Sequence, residues 1–140
     1  MKKIVYALLM VSCWSCLEAK HTYGQLSVAK VDRVHDGDTF IVEIAGVHPL
    51  IGKEISIRIN GIDSPEITDA RDEVKRLAVE ARDYVARRLQ SATHIELLNV
   101  QRDKYFRILA DVWVDGVDLA QELIEQGLAQ PYDGKTKSPW

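Results

Sequence analysis

The sequence predicts a mostly β domain with helices: a small barrel of five short strands, one helix between the third and fourth strands and a second after the fifth. Two observations predict it. Short apolar runs with the alternation of strands, bounded by glycine, proline or aspartate, occur before Asn60 and again after Thr93. Between those groups, and again near the end, the apolar period lengthens to that of a helix.

Gln25 to Val34 alternates through Leu26, Val28, Val31 and Val34 and reads as the first strand. The tight Asp36-Gly37-Asp38 turn joins it to a second, Thr39 to Ile44. Gly46, Pro49 and Gly52 mark a hairpin loop, and Ile55 to Ile59 forms the third strand, with isoleucines on one face and Ser56 and Arg58 on the other. Gly61 and Pro65 make Ile62 to Thr68 a loop. A helix follows from about Asp69, with Val74, Leu77, Ala78, Ala81, Tyr84, Val85 and Leu89 as its apolar stripe. Asp69, Asp72 and Glu73 near its start and Arg87-Arg88 near its end suit the helix dipole. His94 to Val100 and Leu109 to Val114 are the last strands, separated by the polar Gln101 to Arg107 turn. Asp115-Gly116 turns the chain into a second helix through Leu119, Ala120, Leu123 and Ile124, ending at Gly127. This order is that of a small oligonucleotide-binding barrel (an OB-fold-like architecture).

Met1-Lys2-Lys3, the apolar stretch Ile4 to Val11 and the small or polar residues up to Ala19 have the layout of a bacterial secretory leader. Residues 1–19 are therefore expected to be cleaved, leaving residues 20–140 as a single domain and the protein secreted or periplasmic. The apolar stretch is too short to span a bilayer, and no later segment resembles a membrane span. A second reading takes Met10-Val11-Ser12-Cys13 as a lipoprotein site that tethers the domain through Cys13; simple export ranks first. Both cysteines, Cys13 and Cys16, fall in the leader, so the mature domain must be stabilised by its core rather than by disulfides. Roughly 120 residues suffice for one such domain, expected to be monomeric.

Removing Lys2, Lys3 and Glu18 from the 18 basic and 21 acidic residues leaves a net charge of −4. Proteins that hold long nucleic acids by charge alone are basic, so that class is disfavoured. A bound cation with clustered arginines needs less, because the ion supplies local positive charge.

Three segments carry candidate chemistry: Asp36-Gly37-Asp38-Thr39, Arg58-Ile59-Asn60-Gly61-Ile62-Asp63-Ser64-Pro65-Glu66, and Asp103-Lys104-Tyr105-Phe106-Arg107. Carboxylates bind a hard cation and guanidinium forks clamp phosphate, so their combination suits metal-assisted cleavage of a phosphodiester. Singly, each has a duller reading. Asp36 and Asp38 are common turn formers, and Asp63 to Glu66 can simply lead into a helix cap. An arginine at position 58 on a polar strand face is usually solvated, and Arg107 can pair with Asp103 in a surface turn. Tyr105 suits base stacking and plain packing equally. His35, His48 and His94 lack a partner at ligand spacing and read as surface residues. Arg82, Arg87 and Arg88 read as a solvated helix face.

These segments, with Gly116 and the run Glu122 to Ala129, resemble staphylococcal nuclease (thermonuclease) and its homologues over roughly Lys30 to Tyr132. The resemblance implies the small barrel and calcium-dependent cleavage of single-stranded or frayed DNA and of RNA, with little base preference and 3′-phosphate ends. It implies Asp38 and Asp63 as calcium-binding carboxylates, Ser64 as a backbone-carbonyl ligand, and Asp36 as a carboxylate acting through water. Arg58 and Arg107 match the catalytic arginines, and Glu66 the acidic residue that handles the attacking water. Lys104 and Tyr105 match positions lining the nucleotide site, with Tyr132 standing in for a substrate-contacting tyrosine.

Three departures stand out. Phe106 replaces a glycine before the catalytic arginine, where it either alters the turn or adds a base platform. The loop after Glu66 is mixed in charge rather than lysine-rich. The family's long C-terminal helix is not expected within the chain that ends at Trp140. The alternative reading is a barrel that binds nucleic acid or protein without turnover; retention of every metal ligand and arginine favours the enzyme.

Overall fold

The computed structural model describes residues 21–140. The expected leader through Ala19 and the lipidation alternative at Cys13 lie outside the described residues. The chain runs β1 (Leu26–Val34), β2 (Thr39–Ile44), α1 (Pro49–Gly52), β3 (Ile55–Ile59), β4 (Ile62–Asp63), α2 (Asp72–Gln90), β5 (Ile95–Arg102), β6 (Ile108–Val114), β7 (Val117–Asp118), α3 (Leu119–Glu125) and β8 (Gln130–Pro131).

The principal sheet has the order β3-β2-β1-β5-β6-β7, and a parallel β3–β6 pairing closes its first five strands into a barrel. This is the five-stranded barrel the element order predicts, and the parallel β3–β6 pair makes its sheet mixed. Irregular register in β1 and between Leu98 and Gln101 of β5 supplies the extra bend that closure needs. Alternation decides what fills the interior. Phe40, Val42, Ile57, Leu97, Val112 and Val114 are fully buried, and α2 adds Ala81, Val85 and Leu89 to the same core. Asp111 ties the barrel seam, its two carboxylate oxygens accepting from Asn60 Nδ2 at 2.8 Å and Asn99 Nδ2 at 2.7 Å.

The structure departs from the sequence reading at a few places. The loop after β2 contains the short helix α1, whose first turn His48 caps by accepting a 3.2 Å bond from the Leu50 amide. Helix α2 starts at Asp72 rather than near Asp69, because Asp69 is engaged by Arg71 before the helix begins. Strand β5 runs on to Arg102, which narrows the following turn. Residues Ile62 and Asp63 form a two-residue strand with Gln130 and Pro131, a pairing too short to leave a periodicity. Arg88 is not a solvated side chain: it bonds Glu122 at 3.1 Å and the Val114 carbonyl at 3.0 Å. Tyr84 Oη donates to the same Glu122 at 2.6 Å, so α2 is stitched to α3 and the end of β6. Among the described residues no helix is long and apolar enough to cross a membrane.

Candidate active site

Strand register gathers the site at one end of the barrel. Thr39 at the start of β2 pairs with Arg58 near the end of β3, and Ile57 beside it pairs with Ile108 at the start of β6. The Asp36–Asp38 turn, Arg58, the loop following β3 and the Asp103–Arg107 turn are thus neighbours although far apart in sequence. The first turn is shaped by Asp36, whose Oδ1 accepts from the Asp38 amide at 3.1 Å. Gly37 is required there by space. A Cβ at that position would lie 2.8 Å from Ala81 Cβ and 2.9 Å from Ser64 Cβ.

Asp38, Asp63 and Ser64 are buried, and Arg58 lies between the two carboxylates. Its Nη2 is 3.1 Å from Asp38 Oδ2 and 3.6 Å from Asp63 Oδ1. Nη1 donates to the Ile59 carbonyl at 2.9 Å and Nη2 to the Ile62 carbonyl at 2.8 Å, which holds the fork in one orientation. The Arg58 side chain is only 11% exposed, so the solvated reading of this strand position is overturned. Asp38 also accepts from Thr39 Oγ1 at 3.0 Å and from the Ser64 amide at 2.9 Å. Burial pushes the Asp38 carboxyl above the ordinary aspartate range; Arg58 opposes that shift and Asp36 adds to it.

Arg107 makes the ion pair with Asp103 that the duller reading allowed, Nε to Oδ2 at 2.7 Å, and lines the cavity as well. Asp103 organises the whole turn, its Oδ1 accepting from the Tyr105 amide at 2.8 Å and the Arg107 amide at 2.9 Å. Burial raises the Asp103 pKa, but the bonds from Arg107 and Tyr105 outweigh it and hold the carboxyl below its usual value. Tyr105 is exposed and lies between two cations, with Lys104 Nζ 5.0 Å and Arg107 Cζ 5.4 Å from its ring centre. Phe106 adopts the left-handed conformation at φ 64° with its ring 80% exposed. The turn therefore keeps the backbone geometry a glycine supplies and turns the added ring outward.

One cavity of about 580 Å³ is lined by Asp36, Asp38, Arg58, Asp63, Ser64 and Glu66. Lys104, Tyr105, Arg107 and Tyr132 also line it, so it brings together every site residue expected from the sequence. An adjoining cavity of about 450 Å³ shares Arg58, Lys104, Tyr105, Arg107 and Tyr132 with it. Tyr132 reaches this place because its amide bonds the Gly61 carbonyl at 2.8 Å, continuing the β4–β8 pairing.

Sequence reasoning assigned no site role to five residues that also line the cavity, His35, Thr39, Ile67, Thr68 and Lys137, and of these Lys137 reaches the carboxylates. Lys137 Nζ lies 2.9 Å from Asp63 Oδ1 and 2.9 Å from Glu66 Oε1. Burial works against its charge, but the bonds to Glu66 and Asp63 outweigh that and hold its pKa above the ordinary lysine value. Nothing in Gly134-Lys135-Thr136-Lys137-Ser138-Pro139 distinguishes this lysine from any other in a polar loop.

The donor set suits a hard divalent cation. Asp63 Oδ1 is buried, and its close neighbours are two cationic groups, Lys137 Nζ at 2.9 Å and Arg58 Nη2 at 3.6 Å. Such an oxygen is stabilised by positive charge, and carboxylate oxygens are what calcium prefers. Among the described residues no three acidic or histidine side chains form a closed cage, so an ion here must draw further oxygens from backbone, water or substrate.

Comparison with known proteins agrees with this arrangement. The family model described as "Staphylococcal nuclease homologue" matches residues 56–139. "Thermonuclease" of Staphylococcus hyicus is 34% identical over 102 residues, covering 72% of this chain and 57% of that protein. "Thermonuclease" of Staphylococcus intermedius is 30% identical over 101 residues, 71% of this chain and 56% of its own length. "Probable endonuclease LCL3" of Pyricularia oryzae is 32% identical over 90 residues, 61% of this chain and 35% of the fungal protein. The chain thus spans a little over half the length of the staphylococcal relatives and about a third of the fungal one. With the matched region running from Ser56 in β3 to Pro139, and with the barrel and its clustered arginines and carboxylates as described, the chain belongs to the family of staphylococcal nuclease homologues.

Proposed function

We propose that this protein is a secreted, calcium-dependent endonuclease that hydrolyses DNA and RNA with little sequence preference and leaves 3′-phosphate ends. The observation that carries the reading is the convergence of Asp38, Arg58, Asp63, Glu66 and Arg107 on one cavity. A binding module without turnover has no use for two buried carboxylates sharing an oriented guanidinium, whereas phosphodiester hydrolysis uses both.

The geometry supports the roles that the resemblance implies. Asp38 and Asp63 hold the ion, with the Ser64 backbone carbonyl and, through water, Asp36 as further oxygen donors. When bound, calcium supplies Lewis-acid polarisation of the phosphoryl oxygen. Arg58, held by two backbone carbonyls, donates to phosphoryl oxygens as negative charge grows on them. Arg107, which lines the same cavity from the Asp103–Arg107 turn, donates to phosphoryl oxygens as well. Glu66, exposed at the cavity mouth, orients the attacking water and accepts its proton. Lys104, Tyr105 and Tyr132 receive the nucleotide next to the cleaved bond, by charge and by stacking. The burial of Asp38 and Asp63 favours single-stranded or frayed substrate, whose backbone can bend into the cavity. The leader expected in residues 1–19 supports export, and the domain acts as a monomer.

The test is cleavage of denatured DNA by the purified protein with calcium, with a chelator, and with magnesium in place of calcium. Cutting is expected with calcium, abolished by chelation, and weaker with magnesium because the smaller ion demands stricter octahedral geometry. Product ends should resist polymerase extension until a phosphatase removes the 3′-phosphate. Undiminished metal-dependent cutting by an Arg58→Ala, Glu66→Ala, Arg107→Ala triple variant would overturn the assigned roles. Binding without cutting under every metal condition would replace the enzyme with the binding module.

A further inference from the structure

The C-terminal segment is held in place at several points. Beyond β8, Tyr132 bonds Gly61, the Pro139 carbonyl accepts from Gln130 Nε2 at 3.5 Å, and the Trp140 carbonyl accepts from Arg71 Nη1 at 2.6 Å. Between those anchors the chain delivers Lys137 into the cavity, where its ammonium touches Asp63 and Glu66 at 2.9 Å each. These two carboxylates carry different roles in the proposed chemistry, one as metal ligand and one as handler of water. A tethered cation linking them occupies the space in which both functions meet.

We propose that Lys137 is the resident counter-cation of this site, which a divalent ion must displace from Asp63 Oδ1 on binding, so that the C-terminal segment 133–139 sets the metal affinity. The proposal rests on the reading of Asp63 as a metal ligand and adds a residue that competes for it. The competition is physical. Calcium lies about 2.3–2.6 Å from its ligand oxygens. With an ammonium already 2.9 Å from Oδ1 and Arg58 Nη2 at 3.6 Å, a third cationic centre on that one oxygen meets repulsion from both. Arg58 is fixed by backbone carbonyls, while Lys137 is half exposed on a flexible stem and is the group able to leave. Its departure also releases Glu66 from its ion pair, so metal uptake and freeing of the water-handling carboxylate become one event. A tethered group competes at an effective concentration set by its chain, and the anchors on both sides of Lys137 keep that concentration high.

The experiment is calorimetric titration of calcium into the full chain without nucleic acid, for the wild type, Lys137→Met, Lys137→Gln and Lys137→Arg. Circular dichroism reads the fold of each. Removing the ammonium is expected to tighten calcium binding about two- to fivefold, the range set by a partly exposed ion pair. Lys137→Arg, which keeps the charge, is expected to stay near the wild type. Equal calcium affinity in wild type and both neutral variants would overturn the displacement while leaving the metal site standing. No calcium uptake by any of the four proteins would overturn the displacement together with the metal reading.

Discussion

The Ser64 amide donates a 2.9 Å hydrogen bond to Oδ2 of Asp38, joining the loop after β4 to the turn before β2. Both residues are buried, and Gly37 beside them leaves no room for a side chain between Ser64 and Ala81 of α2. The Asp36–Asp38 turn, the Asp63–Ser64 segment and the long helix are therefore one packed unit.

Gly37→Ala tests that unit. The added methyl cannot fit at 2.8 Å from Ala81 Cβ, so the turn or the helix must move. A loss of about 1–3 kcal/mol in urea unfolding is expected from overpacking. Calcium-dependent cutting should fall with it, because Asp38 moves with the turn. An unchanged unfolding midpoint would show that the three elements are not tightly coupled.

Arg58→Ala should destabilise the protein as well as inactivate it. Its removal leaves Asp38 and Asp63 buried without the guanidinium between them, a loss on the order of 3 kcal/mol. Added calcium should restore part of that stability, since it supplies the missing positive charge. Thermal melts with and without calcium check this; a variant as stable as wild type in chelator contradicts it.

Asp103 makes the Arg107 turn sensitive to acid. Its folded-state pKa lies below the unfolded value, so the folded protein binds fewer protons between the two. The contribution is present in full above about pH 4 and is lost as pH falls through the lowered folded pKa. Asp103→Asn should therefore be less stable than wild type at neutral pH, with the gap narrowing as pH falls below about 4. Urea unfolding across that range decides it, and a gap of constant size would assign the stabilisation to something other than the charge on Asp103.

Phe106→Gly separates fold from binding. The ring is 80% exposed and its backbone is already in the left-handed region, with Arg102 Cζ 5.9 Å from the ring centre. Glycine removes strain but frees the unfolded chain, so stability should change by less than about 1 kcal/mol. If the ring is a base platform, affinity for single-stranded DNA in chelator should drop about tenfold, as loss of one stacking contact does. Unaltered affinity would leave Phe106 as a residue the turn merely tolerates.

The barrel strands were legible because each obeys a local rule. Thr39–Ile44 and Ile55–Ile59 are bounded in the structure as their alternation and flanking turns predict, since burial on one face imposes a period of two. The stripe from Val74 to Leu89 was legible for the same reason at the helical period. The two-residue β4–β8 pairing, the short α1 and the clasp of Arg88 on Glu122 were not, because each depends on a partner distant in sequence or on too few residues to make a pattern.

For the site, residue types and spacing pointed to groups that line one cavity: carboxylates at 36, 38, 63 and 66, arginines at 58 and 107, and Tyr105 in the turn before Arg107. Tertiary structure alone decided their state. It buried Arg58 between two aspartates, brought Tyr132 to the cavity along β8, and placed Lys137 against Asp63 and Glu66. Chemistry is carried by residue identity and is written locally. Charge state and competition depend on distances across the fold, which no stretch of sequence contains.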